Sequence, residues 1–200
     1  KAFNVEYVAY PDFFYLIYQH QKKGIVHCMA AKVDGEGKAI GDPVELDTTS
    51  IGFMGDSKIY STIFSEDKKK IMIFKIQHKD EKLNFTNILY DNNLQLIKRS
   101  RQQIPFNDRK EVLTEFAVDN DGNLAFVHGF RKNGRENLSD VSLGVKAVTA
   151  DTFTYHKLNI NNNYADEARL KVDNLNKKYV LTSFYYKERN GNIQGLWVSI

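Results

Sequence analysis

FAVDNDGNLAFVHGF, running from Phe116 to Phe130, holds two short apolar segments around one polar turn. The turn, DNDGN from Asp119 to Asn123, is the strongest hairpin signal in the chain. Asn and Asp side chains bond back to nearby amides, and Gly adopts positive φ without a Cβ penalty. Three further stretches repeat the pattern: AYPDFFYLIYQ from Ala9, FSEDKKKIMIFKI from Phe64 and LKVDNLNKKYVLTSFYY from Leu170. Each reads as strand, polar turn, strand, and the copies recur about every 54 residues.

A period of that length, filled with strands and no helical pattern, predicts an all-β fold of the β-propeller kind, with one four-stranded blade per repeat. Blades are expected at about residues 1–50, 57–104, 112–160 and 166–200. YSTIF and NFTNILY alternate apolar and polar residues, as strands with two distinct faces do, while IMIF is the unbroken apolar run of a strand covered on both sides. The fourth repeat offers only three strands: Ala168 to Val172, Tyr179 to Tyr186 and Gln194 to Ile200. Because propellers remove sheet edges by closing the ring, the visible blades are expected to be part of a larger propeller; a complete four-bladed ring is the alternative.

Composition narrows the function classes. The 28 basic and 25 acidic residues are interleaved, so the net charge of +3 is not the concentrated basic stripe of a nucleic-acid binder, and no nucleic-acid partner is expected. No apolar run approaches the roughly 20 residues a membrane-spanning helix needs. The single cysteine, Cys28, lies in the apolar run IVHCMAA and reads as a buried, inert thiol. A loop-rich, Asn- and Tyr-heavy, nearly cysteine-free chain suggests an extracytoplasmic setting: periplasm, cell surface or secretion.

VDNDGNLAFV, Val118 to Val127, resembles the V-D-x-D-G-N-strand unit of NHL-type and gluconolactonase-like propellers, and more loosely that of TolB-type and WD40-like extracytoplasmic propellers. SEDKKKIMIF has lysines where that unit has Gly-Asn, VDNLNKKYVL lacks the glycine, and YPDFFYLIY keeps only Asp12. The resemblance implies the fold and leaves activity open, since such scaffolds host binding platforms and enzymes alike.

Candidate chemistry is sparse. Asp119, Asp121 and Gly122 resemble the start of a calcium loop, yet the bidentate acid that such a loop needs near Arg131 is missing, so a simple turn is expected. His20 and His128 occupy equivalent repeat positions, but Lys75 stands at the matching place in the second copy, and no metal or other cofactor is expected. No nucleophile elbow, phosphate loop or dinucleotide fingerprint occurs, and no catalytic residue is assigned. The polar connections Asp47 to Ser57, Arg101 to Glu111 and Asn159 to Glu167 are expected between blades. Such loops carry binding residues on rigid scaffolds. The candidate ligand-binding residues are therefore Asp47, Asp56, Phe106, Asp108, Tyr155, Tyr164, Asp166 and Glu167. These features point to a non-enzymatic binding or scaffold module presenting interblade loops to a protein or glycan. The alternative is the propeller part of a secreted or envelope hydrolase of glycosidase or peptidase type.

Overall fold

The computed structural model describes residues 2–51, 59–132, 137–188 and 191–200. Among them the chain forms strands and no helix, arranged as four four-stranded sheets. The first contains β1 (Ala2–Ala9), β2 (Phe14–Lys22), β3 (Ile25–Val33) and β4 (Val44–Ser50). The second contains β5 (Ser61–Phe64), β6 (Lys70–Lys79), β7 (Lys82–Asp91) and β8 (Leu96–Pro105). β9 (Glu111–Val118), β10 (Leu124–Phe130), β11 (Asp140–Lys146) and β12 (Thr154–Leu158) make the third. These three are meanders in chain order, the up-and-down antiparallel sheet of a propeller blade.

The fourth sheet holds β13 (Tyr164–Ala165), β14 (Arg169–Asp173), β15 (Lys178–Tyr186) and β16 (Gly195–Ser199). Leu181 and Thr182 pair with β14 on one side and β16 on the other, while Tyr185 pairs with Ala165 and Gly195. β13 and β14 therefore share one edge of β15 and form a single interrupted strand. The sequence pattern offered three strands here, and the short β13 at Tyr164–Ala165, which it did not reveal, brings the sheet to four.

Two compact units are distinguished: Lys1–Thr62 with Ile73–Ile76, and Ile63–Met72 with Gln77–Ile200. In the first, alternating side chains of β2 and β3 (Tyr15, Ile17, Val26, Cys28, Ala30) are buried. Gln19, itself 3% exposed, ties Tyr60 down: its Nε2 donates to the Tyr60 carbonyl at 3.0 Å, and its Oε1 accepts from the Ile59 and Tyr60 amides. Lys75 is buried with its ammonium 2.7 Å from Asp47 Oδ2 and 2.6 Å from Thr49 Oγ1, while the Tyr60 hydroxyl donates to the same Asp47 oxygen at 2.9 Å. A charge this deep is tolerable because each partner is matched. Burial, and then the Asp47 carboxylate, push the Cys28 thiol up to about 12, in keeping with an inert thiol.

In the second unit, Phe85 of β7 lies against Phe126 of β10, whose ring also meets Phe116 and Phe153 at centroid separations of 5.4 and 4.8 Å. The opposite face of β10 and β11 presents Ala125, Val127, Val141 and Leu143 to Leu170 and Leu181 of the fourth sheet. The hairpin turns are linked in a ladder. Asp67 N donates to Asn120 Oδ1 at 3.2 Å, and Asn120 N donates to Asn174 Oδ1 at 2.8 Å. Asn120 and Asn174 hold corresponding places in their repeats and Asp67 lies in the equivalent turn, so neighbouring turns of the repeat are joined by hydrogen bonds. Among the described residues no helix is long and apolar enough to cross a membrane.

Strand boundaries differ from expectation in two connections. β4 continues to Ser50 and β8 to Pro105, converting the starts of two expected loops into sheet. In β4 the polar run Asp47 to Ser50 pairs with Ile25 to Cys28, so cross-strand pairing overrides local polarity there.

Candidate functional site: a charged cleft between β9 and β14

Two irregular strands build the walls of this cleft. In β9, Thr114 pairs with Val127 and Ala117 with Ala125, so Glu115 and Phe116 together oppose Phe126. This is a β-bulge, and Glu115 sits in it with φ 55°, a left-handed conformation uncommon for a non-glycine residue. Across the cleft the β13–β14 edge is interrupted in the same manner. Ala165 pairs with Tyr185 and Arg169 with Thr182, which leaves Asp166, Glu167 and Ala168 outside the ladder. Bulges re-aim side chains, and here both bulged segments carry acids.

The cleft has a volume of about 220 Å³. Leu138 and Ala168 are buried in its floor beside Val112, while Thr114, Glu115, Arg131, Asp166, Glu167 and Arg169 form its sides. The Arg169 guanidinium bridges the two walls, donating to Glu115 Oε1 at 3.0 Å and to Glu167 Oε2 at 2.7 Å. The other Glu115 oxygen accepts from the Leu170 amide at 3.3 Å. Leu138 exchanges backbone bonds with Ala165 in both directions, at 2.7 and 2.8 Å, which closes one end of the cleft. Tyr186 donates its hydroxyl to Asp166 Oδ2 at 3.3 Å, and loss of hydration, then that carboxylate, hold its phenol above the ordinary range.

The expected ligand-binding residues are dispersed. Asp166 and Glu167 belong to this cleft, and Tyr164 of β13 lies in register with Tyr186 close by. Asp47 is not in a loop; it is the buried partner of Lys75 and Tyr60. Asp56 lies outside the described residues. Phe106 and Asp108 come together after β8 around His78, with a ring separation of 6.0 Å and an Asp108 Oδ2 to His78 Nδ1 distance of 3.6 Å. Tyr155 of β12 packs edge-on to Phe126 and His128, and burial raises its phenol above the ordinary value, with Glu111 adding to the shift.

The histidines at equivalent repeat positions have unlike surroundings. His128 Nε2 lies 2.7 Å from Glu111 Oε2, whereas His20 stacks on His27 at 4.8 Å. Burial, and then His27, lower the His20 value. Among the described residues no group of three or more His, Cys, Asp or Glu side chains could hold a metal ion.

Glu115, Arg131 and Arg169 were absent from the sequence-derived set. A signal for one pair existed: Glu115 and Arg169 each stand immediately before the first apolar residue of their repeat, Phe116 and Leu170. Opposite charges at corresponding positions of adjacent repeats are candidates for contact across the interface.

No family model and no curated protein matches the chain. A hydrazine synthase chain from Kuenenia stuttgartiensis is similar in structure, with a TM-score of 0.41 and 11% identity over 87% of this chain. The matched region spans 61% of that protein's chain. What the chain's own strands define is an all-β protein of propeller-type blades, with a charged cleft between the first strands of its third and fourth sheets.

Proposed function

We propose that this protein is a non-enzymatic binding module that holds a glycan in the β9–β14 cleft. The observation carrying this reading is the cleft itself. Its volume of about 220 Å³ is smaller than the roughly 300 to 1,000 Å³ of drug-sized sites but leaves room for a single sugar ring, and it is concave, unlike the broad flat patch of a protein–protein interface. Its apolar floor suits the carbon face of a sugar ring, and its carboxylates are acceptors for hydroxyl groups. An extracytoplasmic location goes with this role, because that is where polysaccharides are met.

The test is binding of soluble oligosaccharides by calorimetry, with Glu167→Gln and Asp166→Asn as variants. Each is expected to weaken binding by about tenfold or more, the worth of one hydrogen bond to a charged acceptor. Unchanged affinity in both variants would place the ligand elsewhere. Release of reducing ends during incubation would favour the hydrolase, and capture of a protein with no saccharide binding would favour a scaffold.

A further inference from the structure

Building on the glycan reading, we infer that the ligand is an acidic saccharide whose carboxylate docks on Arg131. The argument rests on which polar groups of the cleft are already engaged. Arg169 is held by Glu115 and Glu167, Glu115 also takes the Leu170 amide, and Asp166 takes the Tyr186 hydroxyl. Arg131 differs. Among the described residues its guanidinium has no hydrogen bond and no ion pair, although the side chain is half-buried and lines the cleft. Its backbone is fixed, with the amide donating to the Lys110 carbonyl at 2.6 Å just beyond β10.

An arginine fork presented in this way matches a carboxylate in bidentate fashion, which is both stronger and more directional than a neutral hydrogen bond. The rest of the lining restricts the ligand further. A bare oxyanion would face Asp166, Glu167 and Glu115 with no donor of its own to satisfy them. A neutral sugar would satisfy those acceptors through its hydroxyls and leave Arg131 unused. A uronic acid unit carries both functions on one ring: hydroxyls for the acidic wall and a carboxylate for Arg131.

Calorimetry with tetragalacturonate and with its carboxyl-reduced, neutral counterpart tests this on the whole chain. The wild type is expected to bind the acid about tenfold or more tightly than the reduced sugar, from the worth of a charge-assisted pair. Arg131→Leu is expected to remove that preference while keeping the weak affinity for the reduced sugar, and Arg131→Lys to restore only part of it. Equal binding of both sugars by the wild type, or an undiminished acid preference in Arg131→Leu, would overturn the inference and leave the glycan reading standing. Binding of neither sugar, with other neutral glycans also inert, would overturn the two together. A melting temperature for Arg131→Leu within a few degrees of wild type, as is usual for a side chain that is not fully buried, ensures that the comparison concerns folded protein.

Discussion

At the scale of single residues, the two buried lysines illustrate how context sets the cost of a charge. Lys75 is surrounded by Asp47, Thr49, Tyr60 and the Thr48 carbonyl, so its ammonium is fully coordinated. Lys146, the last residue of β11, is only 3% exposed, yet among the described residues its side chain has no hydrogen bond or ion pair. Its neighbour Lys98 is already paired with Asp151 at 2.9 Å, and the buried Asn87 Oδ1 beside it also lacks a partner. Burial lowers the Lys146 value, and repulsion from Lys98 adds to the shift. Lys146→Met should therefore stabilise the protein, by about 1 kcal/mol or more, because it removes a buried charge that Asp151 offsets only in part, at similar volume. The pH dependence follows from the direction of the shift. Between the lowered folded value and the ordinary 10.5, the unfolded chain binds the proton and the folded chain does not. Wild-type stability thus gains from this site as pH rises through that window, and the advantage of the Met variant shrinks. Denaturant midpoints of the two proteins, compared from neutral to alkaline pH, check both the sign and the trend. Equal midpoints at neutral pH would show that Lys146 carries no burial cost.

At the scale of elements, strand regularity and strand irregularity serve different ends. In β11, Gly144 is a site of close packing, since a Cβ there would lie 2.5 Å from Cζ of Phe126. The ring covers the glycine and so extends the aromatic cluster across the strand. Gly144→Ala is expected to cost roughly 1 to 3 kcal/mol by overpacking, and pairing it with Phe126→Leu should recover part of the loss. A double-mutant cycle in urea measures the coupling, and strictly additive losses would show that the ring does not press on Gly144. Hairpins such as Asp119 to Asn123 are legible in the sequence because turn chemistry is local. Asp119 accepts from the Asp121 and Asn123 amides at 3.0 and 2.8 Å, the bonds its position predicts. The bulge at Glu115 leaves no such mark. TEFAV reads equally well as regular strand, and the extra residue becomes apparent only against the register of β10.

At the scale of the whole molecule, the repeat made the fold readable, while the site arises between repeats. Asn120 and Asn174 can be aligned by eye, and their ladder follows from the period. The cleft requires Arg131, from the end of one sheet, to meet Asp166 and Glu167 from an interruption in the next, and no local pattern encodes that meeting. The same alternation that identifies strands also leaves a distinct surface on the fourth sheet. In β16 Trp197 is half-buried against the core, and its Nε1 donates to the Asn159 carbonyl at 3.0 Å. Leu196 and Val198 point the other way, at 60% and 50% exposure, and Leu196 pairs with the exposed Phe184. Exposed apolar side chains grouped in this way favour association between chains. Leu196→Lys with Val198→Lys should therefore reduce concentration-dependent light scattering with little change in melting temperature, because neither side chain contributes to the core. Trp197→Ala should do the opposite, lowering thermal stability by several degrees through loss of a large, partly buried ring and its hydrogen bond. Scattering that is indifferent to the paired lysines would show that this face does not drive association. A melting temperature that falls as much for the lysines as for Trp197→Ala would mean that both faces of β16 are structural.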